Sequence, residues 1–328
     1  MKTVQDKFIG TVLGGALGDA IGKCVEEVVE DQVYEFYGGR VEGFVQPHPS
    51  SPAYGQLPEE TSDETTPVRI LMESLTEKKA LDVRDYLERL IDWYRNETTH
   101  RYPDPILLAS LEILSRGENP SSYGIVSSSV EGVLRSVVMG LFHYYNPDLA
   151  AEGAKVVSLL THRSEAVLDG ASVLGACIAY LVLEEFDLRF LDERVAFLNT
   201  LKRYTSKSSH RKVIEEVQRL IHEGADLDTA IYRLGNGSFV FEALPLSLFI
   251  FLSNIENPME GFWWGVNSYG SFGGDTDSIG FLVGSMIGAY FGAEVFPAHL
   301  IEDLENASYY EDLAKRLYDI TEKMIIRR

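Results

Sequence analysis

The chain has 328 residues, 45% of them hydrophobic and 24% charged, a composition typical of a soluble globular protein. Its 50 acidic residues outnumber its 29 basic ones and give a formal net charge of −21. This balance argues against a nucleic-acid-binding protein that relies on a broad basic patch, and against adhesion to anionic membranes. For most of the acidic residues we expect no role beyond solubility. A phosphate-bearing ligand would have to be bound through cations, backbone amides or a few arginines.

The N-terminal segment predicts a helix rather than a secretion signal. Its apolar run resembles a signal peptide, but Asp6 and Lys7 stand just ahead of the run, Asp19 closes it, and no convincing cleavage site follows. Glycines recur every fourth residue through this helix, at Gly10, Gly14, Gly18 and Gly22. Because glycine weakens a helix by about 1 kcal/mol relative to alanine, this stripe predicts close packing against another helix.

A short strand and a long irregular segment follow the first helix in our interpretation. Gly39–Val45 is the best strand candidate in the chain, although it is short and adjoins a turn-rich stretch. Gln46–Glu60 contains four prolines and two serines, which favour turns over helix or strand. Irregular segments of this length in a compact domain tend to be functional or mobile, and we expect one of these two roles here.

An acidic cluster stands at the start of the next helix. Within Glu59–Pro67, the residues Ser62, Asp63 and Glu64 are contiguous. Three consecutive residues fan over about 200° on a regular helix, so they converge on one site only at a turn or a helix start. We predict such a start here, with Ser62 or Asp63 as the N-cap of a helical run over Val68–Thr76. A solvated acidic first turn is the alternative.

Helical periodicity dominates the rest of the chain. Apolar residues at three- and four-residue steps predict the helices Val83–Asn96, Ala166–Val182, Val213–Ile221 and Ile279–Tyr290. Neither Cys24 nor Cys177 has a second cysteine nearby, so we expect two buried small side chains in a reducing, cytoplasmic protein. No linker divides the chain, which we interpret as one nearly all-α domain over residues 1–328.

The last of these helices begins with a second polar cluster. Asp275, Thr276, Asp277 and Ser278 follow two glycines and precede an apolar run. Hard oxygen donors suit Mg²⁺, Mn²⁺ or Ca²⁺, whereas Asp275 alone could serve as a helix N-cap, and this motif by itself leaves both interpretations open. The run Ile279–Ala293 is shorter than the about 20 residues that a membrane span needs, and we expect no other segment to approach that length.

A second glycine stripe in this late helix matches the first. Gly280, Gly284, Gly288 and Gly292 also recur every four residues. We expect the two striped helices to be central, buried and packed on each other. If they run antiparallel, the end of the first lies beside the start of the last, which would bring Glu26 near Asp275. Together the two polar clusters offer enough carboxylates and hydroxyls to hold two hard metal ions.

Four segments, taken in order, resemble the ADP-ribosylglycohydrolase family. They are GTVLGGALGDAIG, TSDET, LTHRSEA and GSFGGDTDSIG, and the GGDTD element is the most specific of them. The resemblance runs from about residue 8 to about residue 293. It implies a compact, single-domain, all-α orthogonal helical bundle with a cleft that holds two Mg²⁺ or Mn²⁺ ions and an ADP-ribose-containing substrate.

The resemblance also implies roles for individual residues. The family's metal ligands fall on Ser62, Asp63, Glu64, Asp275, Asp277 and Ser278. A family glutamate on a mobile flap falls on Glu26, and the substrate-binding positions fall on Gly132, Arg135, His162, Gly273 and Gly274. The catalytic base would be Glu26, Asp63 or Asp277, and the sequence does not choose among the three.

Several positions depart from the family pattern. Ser62 and Ser278 replace threonines and preserve the hydroxyl, whereas Glu64 replaces an aspartate and adds one methylene. The substrate-loop element becomes VEGVLR over Val130–Arg135 and loses its usual asparagine and methionine. These changes bear on the identity of the substrate more than on the chemistry.

Other candidates allow two interpretations each. His162 could contact substrate or be a satisfied core histidine, and Arg135 could meet a phosphate or an acidic partner. Ser127–Ser129 could donate to a pyrophosphate or start a helix. Trp263 and Trp264 are interpreted as core and interface residues rather than as an adenine platform.

The resemblance implies hydrolysis of the bond between ADP-ribose and an acceptor, such as a modified protein side chain, through an oxocarbenium-like transition state. A metal-dependent prenyl-transfer enzyme is a second hypothesis, but neither acidic cluster has the D-D-x-x-D spacing of such enzymes. A catalytically weak or inactive ADP-ribose-binding or structural member of the family is a third. The sequence determines neither the acceptor, nor the metal, nor the oligomeric state.

Overall fold

Helices dominate the computed structural model, which describes residues 2–117 and 124–326. The first nine helices are α1 (Val4–Gly22), α2 (Glu30–Tyr37), α3 (Thr65–Lys78), α4 (Val83–Asn96), α5 (Pro105–Ser115), α6 (Glu131–Leu134), α7 (Ser136–Phe142), α8 (Pro147–Leu159) and α9 (Glu165–Leu183). The next eight are α10 (Leu191–Leu201), α11 (Ser208–Glu223), α12 (Leu227–Leu234), α13 (Val240–Ser253), α14 (Pro258–Val266), α15 (Thr276–Phe291), α16 (Ala298–Asp303) and α17 (Ala307–Ile326). Within the described residues no strand forms, so the all-α prediction is confirmed.

Helices α1 and α15 form the buried centre of the fold. A Cβ atom added to Gly18 would lie 2.0 Å from the carbonyl oxygen of Gly280, and one added to Gly14 would lie 2.3 Å from that of Gly284. Both distances are far inside van der Waals contact, so the two backbones touch where only hydrogen fits. Helices α13 and α14 pack on α15, while α17 packs on α1. The expected pair of central, glycine-packed helices is confirmed.

The two central helices run antiparallel. Gly22, at the end of α1, lies against Thr276 at the start of α15, and Gly10 lies against Gly288 near the other end. The expectation that Gly292 belongs to the late helix is wrong, although its backbone still packs against α1, since a Cβ on Gly10 would lie 2.5 Å from the Gly292 carbonyl carbon. This glycine follows the last residue of α15 with a φ of +78°, a left-handed conformation that ends the helix.

Within residues 2–117 and 124–326, two helices are long and apolar enough to cross a membrane, contrary to our expectation that no segment would be. They are α1 with the turn that follows it, Val4–Val25, and α9. The most apolar window of the first is completely buried inside the fold, and that of the second is 83% buried. Core helices of globular proteins pass the same test of length and composition, because a helix at the centre of a fold is apolar all round.

The predicted strand Gly39–Val45 is not formed. The segment is irregular, and its backbone pairs with a side chain instead of a second strand. The Val41 N–H donates to Asn267 Oδ1 at 2.8 Å, and Asn267 Nδ2 donates to the Val41 carbonyl at 2.8 Å. One buried amide therefore satisfies the donor and the acceptor that would otherwise require a strand partner.

The irregular segment Gln46–Glu60 is anchored to the end of α1 by a buried lysine. Lys23 Nζ donates to the carbonyls of Leu57, at 2.8 Å, and Pro58, at 3.3 Å. Ser51 Oγ returns a hydrogen bond to the Lys23 carbonyl at 2.7 Å. Because the ammonium is buried, these carbonyls replace the water that it loses, and the segment is held against the core.

Helix α3 begins earlier than the sequence predicts. Its first residue is Thr65 rather than Val68, and Glu64, not Ser62 or Asp63, occupies the N-cap position without a capping hydrogen bond. The two predicted caps make other contacts. Ser62 Oγ accepts from the Glu64 N–H at 3.2 Å, and Asp63 Oδ1 accepts from the Thr66 hydroxyl at 3.1 Å.

Candidate metal centre and cleft

Three carboxylates converge where the end of α1 meets the start of α15. One oxygen each from Glu26, Asp275 and Asp277 can be chosen so that all three lie within 4.8 Å of one another. Glu26 follows the short helical turn that extends α1, while Asp275 and Asp277 stand at the first residues of α15. The antiparallel glycine contact thus brings together residues that are about 250 positions apart in the chain.

Asp275 does not act as a conventional helix cap. It occupies the N-cap position of α15, but its side chain makes no capping hydrogen bond, and its buried Oδ1 has no hydrogen-bond partner. Glu26 Oε2 is buried without a partner as well. Buried polar atoms are nearly always paired, so two orphaned carboxylate oxygens in this cluster mark it as a group that could hold a cation.

The pKa values of these carboxyl groups agree with that interpretation. Burial raises the pKa of Glu26 and Asp277 well above the ordinary range, and the neighbouring carboxylates raise it further. Burial also raises the pKa of Asp275. A divalent cation would remove the repulsion that produces these shifts and would hold the carboxylates ionised.

Asn236 holds the glycine loop ahead of α15 in place. Its side-chain Nδ2 lies within 3.0 Å of the carbonyl oxygens of Ser268, Tyr269 and Gly273. Its backbone carbonyl oxygen accepts from the Asp275 N–H at 2.9 Å. Gly273 has a φ of +81°, and a Cβ there would lie 2.6 Å from the Glu27 carbonyl oxygen. Gly273 therefore allows the loop to press against the turn that carries Glu26.

Ser62, Glu64 and Ser278 form a second polar group beside the three carboxylates. Ser278 Oγ lies 2.7 and 2.9 Å from the two carboxylate oxygens of Glu64 and donates to this group. Buried Asp19, on α1, holds the Ser62–Thr65 segment in place. Its carboxylate accepts from the Ser62 N–H at 3.0 Å and from the Thr65 hydroxyl at 2.5 Å. Burial, followed by repulsion from Asp277, raises the pKa of Glu64 well above its usual range.

Asp63 is not part of the group of three carboxylates. Its Oδ2 accepts from the Arg101 N–H at 2.6 Å, and its own N–H donates to the Arg101 carbonyl at 3.1 Å. Together with the bond from the Thr66 hydroxyl, these contacts turn Asp63 toward the loop after α4. Successive residues of one segment, Asp63 and Glu64, thus face in different directions.

A cleft of about 390 Å³ opens beside the carboxylates. Its lining includes Glu26, Glu64 and Asp275, the three serines Ser127–Ser129, and the aromatic rings of Tyr102 and Phe239. Asp104 and Glu131 add two further acidic groups. Ser127–Ser129 lie ahead of α6 without capping it, since the N-cap position belongs to Val130. The cleft beside the candidate metal-binding residues therefore has room for a ligand that makes both polar and aromatic contacts.

His162 lies beneath this cleft in a buried hydrogen-bonded chain. Its Nε2 contacts the Asp104 carboxylate, and its Nδ1 lies 2.9 Å from the Thr161 hydroxyl. Gly132 lies directly against the imidazole, because a Cβ there would come within 2.6 Å of the His162 ring. Burial lowers the pKa of His162, and contact with Asp104 opposes that shift. Both ring nitrogens are engaged, so His162 supports the cleft through Asp104.

Arg135 is buried in the core rather than exposed in the cleft. Only 1% of it is accessible to solvent, and its Nε and Nη1 have no hydrogen-bond partner. Trp263 and Trp264 are half-buried against the core, and Trp264 Nε1 donates to Glu260 at 2.9 Å. The structure therefore brings Glu26, Glu64, Asp275, Asp277, Ser278, Gly273 and Gly274 together, and separates Asp63, Arg135 and the two tryptophans from them.

Comparison with known proteins identifies the family. The family model described as ADP-ribosylglycohydrolase matches residues 1–325. The chain belongs to the ADP-ribosylglycohydrolase family. A protein of Archaeoglobus fulgidus described only as uncharacterized is 28% identical over 98% of this chain and 99% of its own length. A solved structure described as an ADP-ribosylglycohydrolase-related protein complex has the same fold, with a TM-score of 0.70 and 22% identity over 98% of this chain and all of its own.

This member of the ADP-ribosylglycohydrolase family also resembles curated relatives from animals. ADP-ribosylhydrolase ARH3 of Bos taurus is 25% identical over 86% of this chain and 84% of its own length. ADP-ribosylhydrolase ARH3 of Homo sapiens is 25% identical over 80% of this chain and 79% of its own. The family model covers the segments that contain both polar clusters.

Four residues of the site were not identified from the sequence. Asp19 orients the Ser62 segment, Asn236 holds the glycine loop, Asp104 binds His162, and Glu131 lines the cleft. Asp19 stands within the glycine-rich motif and could have been found there, as a charge inside an otherwise apolar helix. Asn236 and Asp104 carry no local signal of these contacts, because their partners lie 32 to 37 and 58 residues away in the chain.

Proposed function

We propose that this protein is a metal-dependent hydrolase that cleaves the glycosidic bond between ADP-ribose and an acceptor. The observation that carries the proposal is the convergence of Glu26, Asp275 and Asp277, with two orphaned oxygens, beside an open cleft. Membership of the family and the likeness to the ARH3 proteins support the choice of substrate class. The acceptor is a protein side chain or a small conjugate.

The residues present fit a hard divalent cation. Asp275 and Asp277 supply carboxylate oxygens, Ser278 with Glu64 supplies a further hydroxyl and carboxylate, and Glu26 lies beside them. Oxygen donors of this kind suit Mg²⁺ or Mn²⁺, and we propose that these residues hold two such ions. When bound, the ions would polarise water and ligand hydroxyls and would neutralise the repulsion between the acidic site and a pyrophosphate.

Glu26 is the best-placed general base among the three candidates. It lines the cleft and has one carboxylate oxygen free of any partner. Asp63 is already engaged by Arg101 and Thr66, and Asp277 is not among the cleft-lining residues. Glu26 would accept a proton from the water that attacks the anomeric carbon while the bond to the acceptor breaks, and that proton would then pass to the leaving acceptor. The remaining carboxylates would stabilise positive charge on the ribose.

The proposal is tested by measuring release of free ADP-ribose in the presence of Mg²⁺. The substrates are ADP-ribosyl-arginine, ADP-ribosyl-serine, O-acetyl-ADP-ribose and α-NAD. We expect release from at least one of them, with a loss of about a thousandfold or more in Asp277→Ala and in Glu26→Gln. Asp303→Asn, which changes an exposed aspartate at the end of α16, is the matched control and should retain full activity.

The inactive-member hypothesis is favoured by one contact. The longer side chain of Glu64 occupies the Ser278 hydroxyl, a group that the proposed site needs for a metal. Binding of ADP-ribose in calorimetry, incomplete or weak binding of Mg²⁺, and no product from any substrate would support this alternative. Absence of Mg²⁺ and Mn²⁺ binding would contradict both functions.

A further inference from the structure

Two residues beside the cleft have a backbone conformation that local structure does not explain. In the described parts of the chain, five residues other than glycine have a positive φ, which is sterically unfavourable for a residue with a side chain. Lys79 and Glu184 are the C-caps of α3 and α9, where this conformation ends a helix, and Asn306 belongs to a residue type that tolerates it. The other two are Glu27, which follows Glu26, and Tyr102, which lines the cleft. Strained residues of this kind cluster at sites that need a side chain in a defined orientation.

The backbone of Tyr102 is fixed from its N-terminal side. Its φ is +59°, although it precedes Pro103, a position where extended backbone is preferred. The preceding residue, Arg101, donates its N–H to Asp63 Oδ2 at 2.6 Å and accepts from the Asp63 N–H at 3.1 Å. The Arg101 guanidinium also binds both carboxylate oxygens of Glu305, at 2.5 and 3.0 Å. Arg101 therefore cannot move to relieve the strain at Tyr102.

The backbone is fixed from the C-terminal side as well. Asp104, two residues after Tyr102, caps α5 by accepting from the Ile106 N–H at 2.8 Å, and its other carboxylate oxygen contacts buried His162. The strained residue thus lies between two anchored neighbours. The fold retains the left-handed conformation of Tyr102, and with it the direction of the tyrosine ring.

The Tyr102 hydroxyl is an available hydrogen-bond donor in the cleft. The residue is 40% exposed, lines the cleft together with Glu26, and has no hydrogen bond from its hydroxyl to any of residues 2–117 or 124–326. Burial raises the pKa of the phenol, and the negative charges of Glu26 and Glu27 raise it further. The phenol therefore keeps its proton and acts as a donor rather than as an acid or a base.

The side chains that line the cleft include more acceptors than donors. Carboxyl groups come from Glu26, Glu64, Asp104, Glu131 and Asp275. Hydroxyl groups come from Tyr102, Ser127–Ser129 and Ser238. A ribose has hydroxyl groups that both donate and accept, so the carboxylates can receive its O–H groups, while its oxygens need donors from the protein. Tyr102 supplies such a donor next to Glu26, the residue that would act at the anomeric carbon.

We propose that Tyr102 is a ribose-binding residue of the cleft, whose phenolic O–H donates a hydrogen bond to a hydroxyl oxygen of the terminal ribose of ADP-ribose. The strained backbone holds the ring in the orientation that this bond requires. The inference rests on the proposed function for the class of ligand. It adds a contact to the reacting sugar that comes from a side chain rather than from a bound ion.

The test compares the binding of ADP-ribose with that of ADP, which lacks the terminal ribose, by calorimetry on the full-length protein with Mg²⁺. Tyr102→Phe removes only the hydroxyl, and should weaken ADP-ribose binding about fivefold while the affinity for ADP changes by less than about twofold. Tyr54→Phe alters an exposed tyrosine outside the cleft lining and should change neither affinity. Undiminished binding of ADP-ribose to Tyr102→Phe, or equal weakening of both ligands, would overturn the proposal.

The strain at Tyr102 is tested separately by comparing Tyr102→Gly with Tyr102→Ala, since both variants lack the ring. Glycine adopts a positive φ without cost, so Tyr102→Gly should unfold at a higher urea concentration than Tyr102→Ala. At Glu302, an exposed position in α16, the order should reverse, because alanine favours a helix over glycine. A higher urea midpoint for Tyr102→Ala than for Tyr102→Gly would show an unstrained backbone and would contradict the fixed orientation of the ring.

These binding measurements separate the inference from the proposed function. Weaker ADP-ribose binding in Tyr102→Phe, together with no hydrolysis of any conjugate by the unaltered protein, would support the ribose contact and contradict only the hydrolase activity. No binding of ADP-ribose to the unaltered protein would contradict both.

Discussion

The two polar clusters look alike in sequence but differ in how their side chains are used. Asp275 and Asp277 lie on a helix held by glycine contact at the centre of the fold, and an Asp275 oxygen is left without a partner. Asp63 and Glu64 lie on a turn ahead of α3, where backbone N–H groups, hydroxyls and a serine already satisfy much of their capacity. The comparison teaches that acidic residues at a helix start indicate a metal centre only when the fold leaves their oxygens unsatisfied.

The largest effect should come from disturbing the helix contact that supports the cluster of Asp275 and Asp277. In Gly18→Val, the new Cβ would lie 2.0 Å from the Gly280 carbonyl oxygen, and neither backbone can move aside within the core. We expect a loss of about 3 kcal/mol or more in the free energy of unfolding, measured with urea. Gly39→Ala is the control, since a Cβ there meets no atom within 4 Å and stability should change by less than about 0.5 kcal/mol. Equal stability of the two variants would contradict the close approach of α1 and α15.

Replacing Asn236 should lower the stability less and should act mainly on the loop that positions Asp275. Asn236→Leu leaves three carbonyl oxygens without their donor, and should cost about 2 kcal/mol of stability and weaken Mg²⁺ binding about tenfold or more. Denaturation and calorimetry measure the two effects separately. Asn254→Leu, which removes one amide hydrogen bond to the Ile250 carbonyl far from the site, should weaken stability without changing Mg²⁺ affinity.

The clusters also predict an unusual dependence of stability on pH. The pKa values of Glu26, Glu64 and Asp277 are raised in the folded protein, mainly by burial, so the folded state binds more protons than the unfolded chain. The stabilisation is present below the ordinary carboxyl pKa values and is lost as the pH rises through the raised ones. Without metal, the unfolding free energy should therefore fall by about 1 kcal/mol or more between pH 5 and pH 8.

Saturating Mg²⁺ should reverse that trend, because metal binding requires the ionised carboxylates and strengthens as the pH rises. Urea denaturation at each pH, with and without metal chelator, measures both slopes. Asp277→Asn should flatten the slope of the metal-free protein, since it removes one of the titrating groups. A metal-free protein whose stability rises steadily from pH 5 to pH 8 would contradict the raised pKa values of Glu26, Glu64 and Asp277.

The smallest effect on stability and metal affinity should come from a change in the cluster of Asp63 and Glu64. Glu64→Asp restores the aspartate of the family pattern. It shortens the side chain by one methylene, so that the contact of its carboxylate with the Ser278 hydroxyl is lost. We expect stability to change by less than about 1 kcal/mol and Mg²⁺ affinity to rise by a few-fold, measured by calorimetry. A fall in affinity would mean that the longer side chain of Glu64 is needed to hold the metal.

Much of the helical framework was readable from periodicity. Val83–Asn96 coincides with α4, and Ala166–Val182 lies inside α9 with one residue added at each end. Predictions that depended on a partner elsewhere in the chain fared less well. The strand over Gly39–Val45 was wrong because Asn267, more than 200 residues away, satisfies its backbone. The N-cap at Ser62 or Asp63 was wrong because Asp19 and Arg101 hold that turn in another shape.

The sequence by itself determined the family, the all-α class and a central pair of glycine-packed helices, because glycine spacing and short motifs are local signals that need no partner to be recognised. Only the tertiary structure decided that this pair runs antiparallel and which acids share a site. Close contact of Gly22 with Thr276 brings Glu26 beside Asp275, and the Arg101 backbone draws Asp63 away toward the loop after α4. Hydrogen bonds and burial between distant segments make that choice, and the spacing of residues along the chain carries no record of them.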